Sequence, residues 1–170
     1  MMRSSLLLCA VLACLATPSL GMAAPTEKPK GEVVLTIDGA IASQNDGTRL
    51  DLDMAMLQAL PRTSIQTSTP WTKGVVTFEG VRLSDLLAAA GTQGHDIRAV
   101  ALNDYAVSLP ATDARDDNVL VAYALDGKAI PVREKGPLWI IYPFDDRPDL
   151  KTETIYSRCI WQLRQLTISR

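Results

Sequence analysis

The chain has 170 residues, 47% of them hydrophobic and 21% charged, with a formal net charge of −2. That balance suits one globular domain whose core needs no disulfide or metal staple, and it lacks the basic excess of a nucleic-acid binder. A single histidine excludes multi-histidine metal sites, and three cysteines exclude cysteine-rich zinc sites.

Met1-Met2-Arg3-Ser4-Ser5 is a short positive start, and Leu6 to Ala16 is an apolar run too short for a permanent membrane helix. Pro18 breaks the run, and Gly21 and Ala23 put small residues at the right places for a cut after Ala23. The expected organisation is a signal peptide over 1–23, a short flexible tail over 24–30 and a domain over 31–170. Such a chain is periplasmic or secreted, with no membrane span after signal removal. Val11-Leu12-Ala13-Cys14 loosely resembles a lipobox, but the apolar run continues through Leu15-Ala16, which favours soluble export over lipid anchoring at Cys14.

Glu32 to Ile37 alternates like a strand, and Asp38-Gly39 and Asn45-Asp46-Gly47 are turn signals. Asp51 or Asp53 can cap a short helix through Met54, Leu57 and Gln58 that ends before Pro61. Thr63 to Thr67 and Val75 to Phe78 are β-prone. Ser84 is the expected N-cap of a helix over Leu86 to Ala90, closed by Gly91. Strands follow at Ile97 to Leu102, Val107 to Leu109, Val119 to Leu125 and Leu138 to Tyr142, with Asp126-Gly127 as a hairpin turn. Asp113, Asp116 and Asp117 read as a solvated turn. Near the end, Cys159, Trp161 and Leu163 share one strand parity while Leu166 and Ile168 share the other, which requires a bulge near Arg164-Gln165. The fold class is therefore α+β, a mixed, strand-dominated core with short helices.

Signal removal leaves Cys159 as the one cysteine, so no intramolecular disulfide forms, and a core-facing strand position makes it an inert thiol. His95 stands in a Gly-rich turn without a nucleophile motif, which makes it an exposed loop residue.

Phe78-Glu79-Gly80-Val81-Arg82-Leu83-Ser84-Asp85-Leu86-Leu87 resembles a segment of sulfite-oxidase-type molybdopterin-binding domains. Asn103-Asp104-Tyr105 with Ser108-Leu109-Pro110 is similar to the strand pair that comes next there. Ala122 to Pro131 and then Gly136-Pro137-Leu138-Trp139 resemble a further stretch in order and spacing, and Trp161-Gln162-Leu163 resembles the closing strand. The resemblance runs from about Val33 to Ile168 and implies the sulfite-oxidase-type molybdopterin-binding fold.

In catalytic members of that family a cysteine after an early strand gives its thiolate to molybdenum. The corresponding stretch, Gln66 to Gly74, has none. Serine is a poor substitute unless ionised, so Ser68 is a weak alternative ligand. The leader carries Arg3 without a paired arginine, whereas exported members that carry the cofactor typically leave folded by the twin-arginine route.

The resemblance thus implies an inherited scaffold without molybdenum redox catalysis: no catalytic residues, no metal and no cofactor, with a molybdopterin-dependent oxidoreductase using non-cysteine ligation as the alternative. The vestigial cofactor pocket is expected between Ser68, Thr69 and Trp71, Asn103, Asp104 and Tyr105, and Arg133 and Lys135, the last two suited to an anion. Asp145, Asp146 and Arg147 form its rim, as carboxylates in a loop after a strand. Trp71 is either a recognition anchor or a lid on the core. The expected partner is a small anionic ligand or a periplasmic protein, not a nucleic acid.

Overall fold

Alternating apolar residues draw the chain into two five-stranded sheets with short helices between them, as the computed structural model describes for residues 27–170. The expected leader and the first residues of the tail lie outside that range. Strand β1 (Val33–Gly39) buries Leu35 and Ile37 completely and turns Thr36 outward. It lies between β2 (Leu50–Asp53), antiparallel, and β10 (Leu163–Ser169), parallel. Strands β5 (Asp96–Ala101) and β6 (Ala106–Pro110) extend this sheet in the order β2-β1-β10-β5-β6. The parity switch in β10 is met by a bulge. Leu163 pairs with Ala101 but Gln165 pairs with Val100, so Arg164 is the extra residue and Leu163, Leu166 and Ile168 all face inward.

The second sheet runs β3 (Arg62–Ser68), β4 (Val75–Arg82), β7 (Leu120–Leu125) and β8 (Lys128–Ala129), with β9 (Trp139–Ile141) also on β7. Strand β7 is an unbroken apolar run because both of its faces are covered. Val121 and Tyr123 enter the large core between the sheets, whereas Leu120 and Ala122 join Phe78, Trp139 and Ile141 in a smaller core on the opposite face. Asp126 and Gly127 take φ of 48° and 75°, the left-handed pair that a two-residue hairpin between β7 and β8 requires.

Helix α1 (Met54–Ala59) is capped by Asp53, whose Oδ1 accepts the Met56 amide at 2.9 Å. The other oxygen of Asp53 accepts the amides of Lys30 and Gly31, and the Glu27 carbonyl accepts from Asn45. The described part of the tail, 27–30, is thereby tied to the body instead of hanging free. Helix α2 (Leu83–Ala90) ends as anticipated at Gly91, at φ 61°. Its start differs: Arg82 occupies the cap position without a side-chain capping bond, because β4 runs directly into the helix and Ser84 already lies inside it. Strands dominate and the helices are short, which makes the fold α+β.

Two helices replace expected turn and strand. Asp113, Asp116 and Asp117 are not a solvated turn. Asp113 lies inside α3 (Ala111–Asp116), is buried, and accepts from the Tyr142 phenol at 2.6 Å and the Arg158 guanidinium at 2.7 Å. Burial and the neighbouring Asp113 carboxylate hold the Tyr142 phenol far above the ordinary tyrosine range. The region before Trp161 is also not strand. Helix α4 (Glu153–Arg158) is capped by Thr152, and Cys159 sits at its C-terminal end. Gln162, at φ 51°, then turns the chain into β10, so Trp161 is 39% exposed instead of sharing the core with Leu163.

Asp113 therefore joins α3, the end of β9 and α4 through one carboxylate. Replacing Asp113 with Ala leaves a buried phenol and a guanidinium unpartnered, and is expected to reduce unfolding free energy by about 3 kcal/mol. Tyr142→Phe, which keeps the Asp113–Arg158 pair, should cost about 1 kcal/mol. Urea denaturation of both variants measures the difference, and equal losses would remove the bridging role.

Candidate functional site

Strand β3 ends at Ser68, and the turn beyond it is shaped by local hydroxyl bonds. The Thr69 amide and hydroxyl both meet Thr72 Oγ1, the Trp71 amide donates to Thr69 Oγ1 at 3.2 Å, and Gly74 at φ 67° leads the chain into β4. This turn presents Trp71, partly buried, to both cores at once.

The turn is anchored from across the chain. Asp145 accepts the Ser68 amide at 2.6 Å and its hydroxyl at 2.8 Å, and the Lys151 ammonium at 2.8 Å. In return the Asp145 amide donates to Thr67 Oγ1 at 3.1 Å. The Lys151 bond first, then those from Ser68, hold the Asp145 carboxyl down to about 2.

Trp71 meets Trp139, Trp161 and Tyr156 edge to face, at centroid distances of 6.0, 5.9 and 6.0 Å. On one side of Trp71 lies a groove of about 480 Å³, within the usual range for small-ligand sites. Its walls are Trp71, Trp161 and Tyr156, the β5–β6 loop with Asn103 and Tyr105, and Glu153 and Cys159 from the α4 segment. On the other side is a hollow of about 340 Å³ lined by Trp71, Trp139, Lys128, Glu134 and Lys135. The Lys135 ammonium stands 5.5 Å from the Trp139 centroid and 5.6 Å from that of Trp161.

The structure distributes the expected site residues unevenly around these spaces. Trp71, Asn103 and Tyr105 line the larger groove, and Trp71 and Lys135 line the smaller hollow. Asp104, at φ 65°, turns away to pair with Arg164 at 2.5 Å. Ser68 and Thr69 bond to Asp145 and Thr72 and support Trp71 from behind. Arg133 is exposed and lines none of these spaces, because the loop after β8 carries it outward. Asp145, Asp146 and Arg147 border a third, shallow depression with Arg82 and Asn118, and Arg147 forms the local pair with Asp149. Tyr156, Glu153 and Trp161 went unmarked as site residues in the sequence. The signal that would have marked them is the Thr152 cap with Glu153 in the first turn, which starts a short helix carrying Tyr156 and ending just before Trp161.

Cys159 is 2% exposed at the groove floor, and its thiol donates to the Ile155 carbonyl at 3.6 Å. Burial pushes it up to about 12.

The fold is thus a two-sheet α+β scaffold with an aromatic-walled groove at one end of its loops and α4. The chain belongs to the oxidoreductase molybdopterin-binding domain family, whose sequence profile matches residues 24–144. Among solved structures it is similar to the sulfane dehydrogenase SoxCD from Paracoccus pantotrophus, with 22% identity and a TM-score of 0.60 over 84% of this chain. That alignment spans 39% of the enzyme chain, and at this identity the likeness shows the fold. No curated protein matches the chain.

The residues present do not fit a thiolate-ligated metal. Ser68 and Thr69 are engaged in the turn and its clamp, Cys159 is a neutral buried thiol, and no cluster of three or more His, Cys, Asp or Glu among the described residues could hold an ion.

Two measurements test this geometry. Because the folded Asp145 value lies below that of a free aspartate, the clamp contributes fully above about pH 4 and fades as pH falls toward 2. Carboxyl NMR should give a midpoint near 2 that rises in Lys151→Met; a midpoint near 4 in the parent protein would show the clamp is open. At pH 8 burial keeps the Cys159 thiol protonated, so alkylation followed at Cys159 by peptide mapping should be negligible in the folded protein and complete in denaturant. Rapid labelling of the folded protein would contradict the buried thiol.

Proposed function

We propose that this chain is an exported ligand- or partner-binding module on the molybdopterin-binding scaffold, acting through the Trp71 groove instead of through molybdenum redox chemistry. One observation carries the reading: the single thiol outside the leader is a neutral hydrogen-bond donor to Ile155, while the β3–β4 turn is stabilised internally and delivers an indole in place of a metal ligand. A metal held through sulfur needs an ionised thiolate, and the walls of the larger groove supply rings, an amide, a hydroxyl, one carboxylate and the neutral Cys159 thiol.

The groove suits binding on general grounds. It is concave and largely apolar, with a few polar groups at its edge in Asn103, Ser157 and Glu153. The unpaired Arg3 of the leader supports export of an unfolded chain, which carries no preloaded cofactor.

Molybdenum analysis of the protein purified from its native compartment tests the reading. The expected content is far below one atom per chain, with a mature N-terminus at Ala24. One molybdenum per chain, with turnover lost in Ser68→Ala, would overturn it in favour of an oxidoreductase with non-cysteine ligation.

A further inference from the structure

We infer that the Trp71 groove selects a small, soluble alkylated ammonium cation; the inference rests on the groove being a ligand site and names the class of ligand. Three rings meet there as a corner. The planes of Trp71 and Tyr156 are 84° apart and those of Trp71 and Trp161 are 72° apart, with centroids 6.0 and 5.9 Å from each other. Each ring carries negative electrostatic potential above its face, and a groove walled by several rings favours a positive, weakly hydrated group over an anion. Tyr105, 56% exposed, stands at the other wall and supplies a fourth ring.

Charge points the same way. Glu153 is the one charged side chain on the groove wall, and among the described residues it makes no ion pair. Of the nearby cations, Arg158 pairs with Asp113 and Arg164 with Asp104, while Lys135 lines the smaller hollow and already stands 5.6 Å from the centroid of Trp161, which shows that ring taking a cation. An anion in the groove would face Glu153 and the rings, with no cationic side chain on the groove wall to meet it. A cation bearing methyl groups instead places its charge against the rings and its methyls on apolar surface. A ligand carrying its own carboxylate close to the nitrogen would be repelled by Glu153.

Exposure of large rings also needs an explanation. Trp161 at 39% and Tyr105 at 56% are open to solvent on the same groove, and clustered exposed aromatics mark binding surfaces. Rings left open in this way favour a partner that does not need dehydrating at great cost, such as an alkylated ammonium.

Calorimetric titration of the intact protein with choline, with tetramethylammonium and with 3,3-dimethyl-1-butanol, the neutral carbon isostere of choline, tests the inference. The two cations should bind with Kd on the order of 0.1 mM and the isostere at least about ten-fold more weakly. Glu153→Gln should weaken choline binding about three-fold, and Trp161→Leu about five-fold, both with cooperative urea unfolding retained. Both residues are exposed, so the variants are expected to fold. Equal affinity for choline and its isostere, or no heat from either cation at millimolar concentration, would overturn the cation assignment while leaving the groove free to serve another ligand. One molybdenum per chain would instead overturn the reading beneath it.

Discussion

Trp71 packs edge to face on Trp139, Trp161 and Tyr156, and these reach Phe78 on one side and Phe144 and Tyr142 on the other. Seven of the nine aromatic residues of the chain thus form one continuous packing that crosses from the outer core of the second sheet to the buried Asp113. Each such contact adds roughly 0.5–1.5 kcal/mol beyond burial, but its geometric effect is larger. The rings join the β3–β4 turn, β9 and α4, alongside the Trp139–Trp161 backbone bridge and the Asp145 clamp on Ser68. Both hollows beside Trp71 exist because rigid planar groups meeting at steep angles leave space at their edges.

The same packing explains how a molybdopterin-binding scaffold accommodates the absence of a thiolate after β3. The turn that would present a ligand is closed by hydroxyl bonds of its own, and Asp145 with Lys151 locks it from behind. A side chain at Ser68 is thereby a structural hinge pin for Trp71, and the space beside it is bounded by rings. The sheets follow the family fold, while the chemistry of the groove is set by a handful of residues on three separated segments, one of them helix α4.

Much of the scaffold was legible in the sequence because its signals are local. Alternation located β1, apolar runs located β5, β7 and β9, Gly91 ended α2, Asp126-Gly127 made the hairpin, and the parity conflict around Arg164 required the bulge found in β10. What escaped depends on distance. Asp113 is buried only because Tyr142 and Arg158, 29 and 45 residues away, come to it. Ser68 is engaged by Asp145, 77 residues on, so no local pattern distinguishes it from a free hydroxyl beside a pocket. Helices α3 and α4 have six residues each, too short to display a periodic apolar stripe, and Cys159 with Trp161 imitated strand parity. The groove suffered most, since its walls come from three separated segments and its charge balance depends on which cations are already paired.

All three tryptophans of the chain sit in the one cluster, 5.9 to 6.5 Å apart by centroid, with the Lys135 ammonium over two of them. At such separations an excitation on any indole is shared with the others. The ultraviolet emission of the whole protein therefore originates from a single place, and the coupled transitions should produce a paired positive and negative circular-dichroism band of their own. That optical signature reports the integrity of the ring packing and is blind to the distant β1–β2 edge, so loosening of the cluster can be seen separately from unravelling of the sheets.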